Sequence, residues 1–304
     1  MRSHCFTTIL ILFFIVGCST RSEQIIVIGS KMDTEGTILG YIQLLALEDA
    51  GLKVEDRIET GPTLIARQAL LSGEIDGYIE YTGTALVNFM KENNKEILSN
   101  EEIAYHTIAQ WDSSHNRIQW LDAWSGINNT YTVLMRQNEA KARSIRNISD
   151  LTAFVIGGNE IRFGSDHEFA ARPDGLTSML AAYDLTNAPS LHIVNMDAGL
   201  VYQTLNQNSV DAAIGYSTDG RIAAFNLIRL KDDHNFFPVY NPTPIYREET
   251  LRRFPQIDQV LNRIAGTITA DDITEMNYRN DVNLERPKSL AREWLTKNHF
   301  IARK

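Results

Sequence analysis

Ile25-Ile26-Val27-Ile28-Gly29-Ser30-Lys31 is the stretch from which the rest of the chain is read. Its unbroken run of β-branched residues suits a strand buried on both faces, whereas a half-exposed strand alternates apolar with polar residues. Gly29-Ser30 turns the chain, and Asp33 or Thr34 is placed to cap a helix whose Ile38, Tyr41, Ile42 and Leu45 share a face. Gly51 stops that helix. Residues 53–58 read as a second strand, a helix ended by Gly73 follows, and 75–79 read as a third strand. This β-α-β-α-β order predicts a mostly parallel sheet.

Downstream, 84–90 opens another helix. The β/α alternation resumes after residue 130, with strands expected at 132–135, 161–163, 191–194, 210–214 and 227–230. Helices are expected at 175–183 and 198–205. Past Pro244 the strand pattern stops, and 248–254, 257–265, 271–278 and 288–297 read as helices. Two α/β units and a helical tail predict two lobes, with ligands held at strand carboxyl ends or between the lobes.

Upstream, Arg2 is the only formally charged residue before an apolar run at 9–16 and Gly17-Cys18. Crossing a bilayer takes roughly 20 apolar residues, so 1–17 reads as an export signal rather than a membrane span. Ile15-Val16-Gly17-Cys18 resembles a bacterial lipobox, which implies cleavage before Cys18, lipid on its sulfur and a polar tether over 18–23. An ordinary signal peptide that happens to hold a cysteine is the alternative. Cleavage also removes Cys5, so the exported chain is expected to fold without a disulfide. Losing the one charge of Arg2 takes the formal net charge from −9 to −10. An acidic chain with scattered lysines argues against nucleic acid as a partner.

Catalytic and metal-binding patterns are missing. None of the seven histidines pairs with another His, Cys or Glu at ligand spacing, and His106, His115 and His234 lie in polar surroundings expected at the surface. There is no Gly-x-Ser-x-Gly, and Gly29-Ser30-Lys31 lacks the rest of a phosphate loop. The carboxylate pairs Asp76/Glu80 and Asp232/Asp233 stand without a nucleophile or base beside them, and read as structural. No enzyme, metal or cofactor is expected.

Three segments carry a resemblance. Gly29-Ser30-Lys31-Met32-Asp33-Thr34-Glu35, Ile75-Asp76-Gly77-Tyr78-Ile79-Glu80-Tyr81-Thr82-Gly83-Thr84-Ala85 and Tyr216-Ser217-Thr218-Asp219-Gly220-Arg221-Ile222, with Asp232-Asp233 and Phe236-Phe237-Pro238-Val239-Tyr240-Asn241 beyond, occur in order. Together they resemble the osmoprotectant (glycine betaine, choline, carnitine) binding proteins of ABC importers, of the ProX/OpuBC type. Asn128-Asn129-Thr130-Tyr131, Glu168-Phe169, Arg172-Pro173-Asp174-Gly175 and Met196-Asp197 support the likeness, which covers nearly the whole exported chain.

That resemblance implies a type II periplasmic-binding-protein fold, α/β and two-lobed, with lobe I over 24–128 plus 237–304 and lobe II over 129–236. The crossings near Asn129 and Tyr240 would form the hinge. It implies an aromatic cage of Tyr81, Tyr131, Tyr216 and Tyr240 around a trimethylammonium head. The physics agrees, because a quaternary ammonium has no N–H to donate but is attracted to the negative faces of aromatic rings. Lys31, Thr84 and Arg172 would meet a betaine carboxylate, and Asn129, two residues before Tyr131 on an alternating strand, would share its face. The implied partners are a quaternary-ammonium solute and a membrane permease, with the protein itself a monomer anchored by lipid alone. Met32-Asp33 and Ile79 depart from the family pattern, and the negative charge of Asp33 near the expected carboxylate end keeps choline, or another cation without a carboxylate, open beside glycine betaine. A second reading keeps the fold for another small solute, such as an amino acid; a third, a lipid-anchored enzyme, lacks its nucleophile and base.

Overall fold

The computed structural model describes residues 25–302. The expected export signal, Cys18 and the tether over 18–23 lie outside them. Two five-stranded sheets organise the chain. The first is built from β1 (Ile26–Lys31), β2 (Val54–Gly61), β3 (Gly77–Tyr81), β4 (Ile118–Trp120) and β10 (Pro242–Arg247), in the order β2-β1-β3-β10-β4. The second is built from β5 (Tyr131–Arg136), β6 (Ile161–Asp166), β7 (Leu191–Met196), β8 (Ala212–Tyr216) and β9 (Leu227–Arg229), in the order β7-β6-β8-β5-β9. Each sheet heads one lobe, so the architecture is the two-lobed type II arrangement.

β1 pairs in parallel with both β2 and β3. Its Ile26 and Ile28 are fully buried, as the unbroken apolar run requires. Asp33 caps the Thr34–Asp49 helix, its carboxylate accepting from Gly36 N–H at 2.8 Å. Gly51 and Gly73 adopt the left-handed conformation past the ends of their helices. The C-terminal helices return to the first lobe, where Ile257, Leu261, Ile264, Trp294 and Leu295 share a core with Ile38, Leu39 and Ile42.

Three expectations need correcting. The strands do not cease at Pro244: β10 runs antiparallel between β3 and β4. Two prolines in an inner strand argue against a ladder, yet alternate residues of a strand direct their N and C=O to the same side. Pro242 and Pro244 lie beyond the short pairing with β4, and their carbonyls accept from Trp124 and Leu121 N–H at 2.9 Å each. The missing donors therefore fall where no ladder partner remains. Second, the helix expected over 84–90 is a four-residue α-turn, Thr82–Ala85, that widens into a π-helix at Leu86–Met90. Third, the stretch before residue 130, where no element is expected, holds a long helix, Glu101–Asn116.

The segments joining the sheets, 121–130 and 230–241, lie side by side. Asn128 Oδ1 accepts from Tyr240 N–H at 2.9 Å, and Asn129 N–H donates to the Tyr240 carbonyl at 3.1 Å. Thr130 Oγ1 donates to the Pro238 carbonyl at 3.1 Å.

Candidate functional site

A cleft of about 740 Å³ lies between the lobes. Tyr81 ends β3, Tyr216 ends β8, Tyr131 begins β5 and Tyr240 lies two residues before β10. Strand register brings them together: Tyr131 pairs directly with Tyr216, and Tyr81 with Pro242. All four line the cleft. The Tyr131 ring centre lies 5.0 Å from that of Tyr216, tilted by 35°, and 5.8 Å from that of Tyr240, edge-on at 86°. Phe169 and Phe237 pack against Tyr131 at 4.7 and 6.4 Å.

Burial pushes the phenols of Tyr81, Tyr131, Tyr216 and Tyr240 up from an ordinary value of 10, so each stays neutral at physiological pH. Glu35 adds to the effect at Tyr81, whose hydroxyl donates to Glu35 Oε1 at 2.8 Å. Neutral rings lining one cavity are chemically suited to a cation, which the negative faces of aromatic rings attract.

The polar residues divide. Lys31, Thr84 and Asn129 line the cleft. Lys31 is buried, its Nζ 2.5 Å from Glu80 Oε1 and 4.9 Å from the Tyr81 ring centre. Asn129 has a buried Oδ1 without a hydrogen-bond partner among the described residues. Arg172 stands behind the rings rather than in the cleft lining. Its Nε and Nη2 donate to Asp174 at 2.8 and 2.7 Å, and Nη2 also reaches the Tyr240 hydroxyl at 3.2 Å. Burial opposes its charge, and the Asp174 carboxylate paired with it offsets that. Arg172 braces two of the tyrosines, 5.4 and 5.6 Å from their ring centres.

Carboxylates dominate the rest of the lining: Asp33, Glu35, Asp166, Glu168, Asp197, Asp219 and Asp281, against Lys31 and Arg221. Both cations are already ion-paired, Arg221 with Asp219 at 2.6 Å. Such a field favours a cationic guest. The carboxylate pairs read as structural from sequence hold backbone and neighbours. Asp76 accepts from Val27 N–H and Thr250 Oγ1, and Asp232 accepts from Phe237 N–H, each within 3.0 Å. His106, His115 and His234 are exposed.

Glu35, Thr218, Asn277, Phe169 and Phe237 also stand at or beside the site without a role expected from the sequence. All but Asn277 lie inside quoted motifs, so the signal was present as a letter without a function. Asn277 sits on the Ala270–Asp281 helix and reaches the cleft only through the return of the chain to the first lobe.

Comparisons with known proteins place the chain in a family. The family described as the substrate binding domain of ABC-type glycine betaine transport systems matches residues 24–297. The carnitine transport binding protein OpuCC of Listeria monocytogenes is 34% identical over 288 residues, covering 94% of this chain and 90% of the relative. The glycine betaine-binding protein YehZ of Escherichia coli is 31% identical over 290 residues, covering 94% of each. A crystal structure described as a glycine betaine/carnitine/choline ABC transporter superposes with a TM-score of 0.76 at 29% identity, over 90% of this chain and 99% of that one. These are binding components of transport systems, not enzymes. The chain belongs to the family of substrate-binding domains of ABC-type glycine betaine transport systems.

Proposed function

We propose that this protein is a lipid-anchored, extracytoplasmic binding protein that captures a quaternary-ammonium solute in a cage of Tyr81, Tyr131, Tyr216 and Tyr240 and delivers it to its permease. The observation that carries the reading is the convergence of four neutral tyrosines, three from strand ends and one from the segment leading into β10, on one acidic cleft. Each desolvated ring contributes roughly 0.5 to 2 kcal/mol to a bound cation, so four supply much of the about 8 kcal/mol of micromolar affinity. Rings held by Phe169, Phe237 and Arg172 need little ordering on binding, which saves affinity otherwise lost to entropy. Lobe I comprises 24–128 plus 237–304 and lobe II 129–236, with the paired crossings near Asn129 and Tyr240 as the hinge. The protein works as a monomer held to the membrane through Cys18.

Lys31 and Thr84 are the groups that would meet a carboxylate on the ligand. The unpartnered Oδ1 of Asn129 offers an acceptor to a ligand hydroxyl. Calorimetric titration against glycine betaine, choline, carnitine and proline tests the class. Binding of at least one quaternary amine and weakening by about tenfold or more in Tyr216→Ala and in Tyr240→Ala are expected. Absence of heat with every quaternary amine sinks the reading, and undiminished binding by both variants sinks the cage.

A further inference from the structure

Glu35 opens the Thr34–Asp49 helix and is 4% exposed, with a carboxylate shared between the lobes. Its Oε1 accepts from the Tyr81 hydroxyl at 2.8 Å. Its Oε2 accepts from Thr218 Oγ1 at 2.6 Å and from Asn277 Nδ2 at 3.1 Å. Tyr81 and Asn277 belong to the first lobe, while Thr218 follows β8 of the second.

We propose that Glu35 is the positioning residue of closure, fixing the ring of Tyr81 on one oxygen and clasping the opposite lobe through Thr218 on the other. A buried carboxylate is costly unless its oxygens are hydrogen-bonded. Here the full set of donors exists only when the lobes are together, because one of the two shortest comes from across the cleft. Opening therefore strips a donor from a group that needs it, and closure restores it while orienting a ring that faces the ligand.

Neighbouring contacts stitch the same side. Asn277 Nδ2 also donates to the Thr218 carbonyl at 3.2 Å, and Arg221 lies 3.5 Å from Asp281, which accepts from Thr34 Oγ1 at 2.7 Å. Across the other lip, Thr63 Oγ1 donates to Glu168 Oε1 at 2.9 Å, but the Glu168 side chain is 41% exposed. A bond open to water holds less than a buried one. The clasp is thus concentrated at Glu35.

The proposal rests on the cage reading only in that Tyr81 faces ligand; the clasp itself joins protein to protein. Thr218→Val removes the hydroxyl at nearly constant shape, and Thr218→Ser retains it. Two readouts apply: the distance between spin labels placed one on each lobe, without ligand, and the release rate of choline. Thr218→Val is expected to shift the distance distribution outward and to speed release about tenfold at unchanged association, as loss of a hydrogen bond to a charged acceptor implies. Thr218→Ser should restore both. An unchanged distance distribution in Thr218→Val overturns the clasp, even if thermal stability falls. Failure of the wild type to bind choline or any quaternary amine, with the distance shift present, removes the cage reading and leaves the clasp standing.

Discussion

Lys31 brings a full charge to a position only 5% exposed, and Glu80 is what makes it tolerable there. Glu80 is itself fully buried; it meets Lys31 Nζ at 2.5 Å and accepts from the Tyr78 hydroxyl at 2.8 Å and Tyr81 N–H at 2.7 Å. Removing one partner of such a pair leaves an uncompensated buried charge, at a cost of about 3 to 5 kcal/mol. Glu80→Ala is therefore expected to lose that much in urea denaturation, and Glu80→Gln less, since an amide oxygen still accepts from Tyr81 N–H. A loss below about 1 kcal/mol in Glu80→Ala, the range of ordinary surface changes, would refute this role. The pair also shows what single letters convey. Motif position put Tyr81, Lys31, Thr84 and Asn129 at one cleft, because strand ends and their following turns are local features. It did not show that Lys31 is already neutralised, or that Arg172 turns to Asp174 behind the rings. Those depend on rotamers and on neighbours remote in sequence. Glu35 and Thr218 are 183 residues apart, and no periodicity links them.

Among the elements, the early β-α-β-α-β run was legible because buried parallel strands and capped helices leave local marks. β10 was not, since its prolines are tolerated only by virtue of where β4 ends. The glycine of Ser217-Thr218-Asp219-Gly220-Arg221 has a similar, non-local reason. A Cβ on Gly220 would stand 2.3 Å from Tyr278 Cβ and 2.6 Å from its Cα. Tyr278 lies on the Ala270–Asp281 helix of the first lobe, whereas Gly220 belongs to the second, so the approach is between lobes. The backbone of Gly220 is ordinary, with φ at −65°, so an alanine there strains the contact rather than the turn. Over-packing of this kind costs about 1 to 3 kcal/mol, here charged to the closed form alone. Gly220→Ala should weaken choline binding about tenfold, with the cores of the separate lobes and hence the melting temperature nearly unchanged. Equal affinity in wild type and variant would mean that the lobes close without this contact. A large drop in melting temperature would mean that the glycine serves the fold instead.

Taken as one molecule, the protein stores unfavourable charge in its cleft and favourable charge on its surface, and the two respond to pH in opposite senses. Burial raises the carboxyls of Glu35, Asp166 and Asp281 above their ordinary values, 4.5 for the glutamate and 3.8 for the aspartates. Hydrogen bonds from Thr218 and Tyr81 to Glu35, from Phe169 N–H to Asp166, and the charge of Arg221 beside Asp281 offset this only in part. A group raised on folding binds protons more tightly in the native state. Its stabilising contribution is complete below the ordinary value and fades as pH rises through the native one. On the outside, hydrogen bonds from Arg279 hold Glu285 and Glu293 below theirs, and Asp211 is lowered against burial by Arg162. Their contribution is complete above the ordinary values and fades on further acidification. The ligand-free protein should therefore lose melting temperature at both ends of the pH range: on the alkaline side of the ordinary carboxylate values as the cleft carboxyls ionise, and on the acid side of those values as the surface pairs protonate. Glu35→Gln removes one of the cleft groups and should flatten the upper limb while leaving the lower one in place. Thermal unfolding at unit steps of pH, in wild type and variant, reads both limbs; a melting temperature that climbs steadily as pH rises past the ordinary carboxylate values would show that the cleft carboxyls are solvated in solution and carry no such penalty.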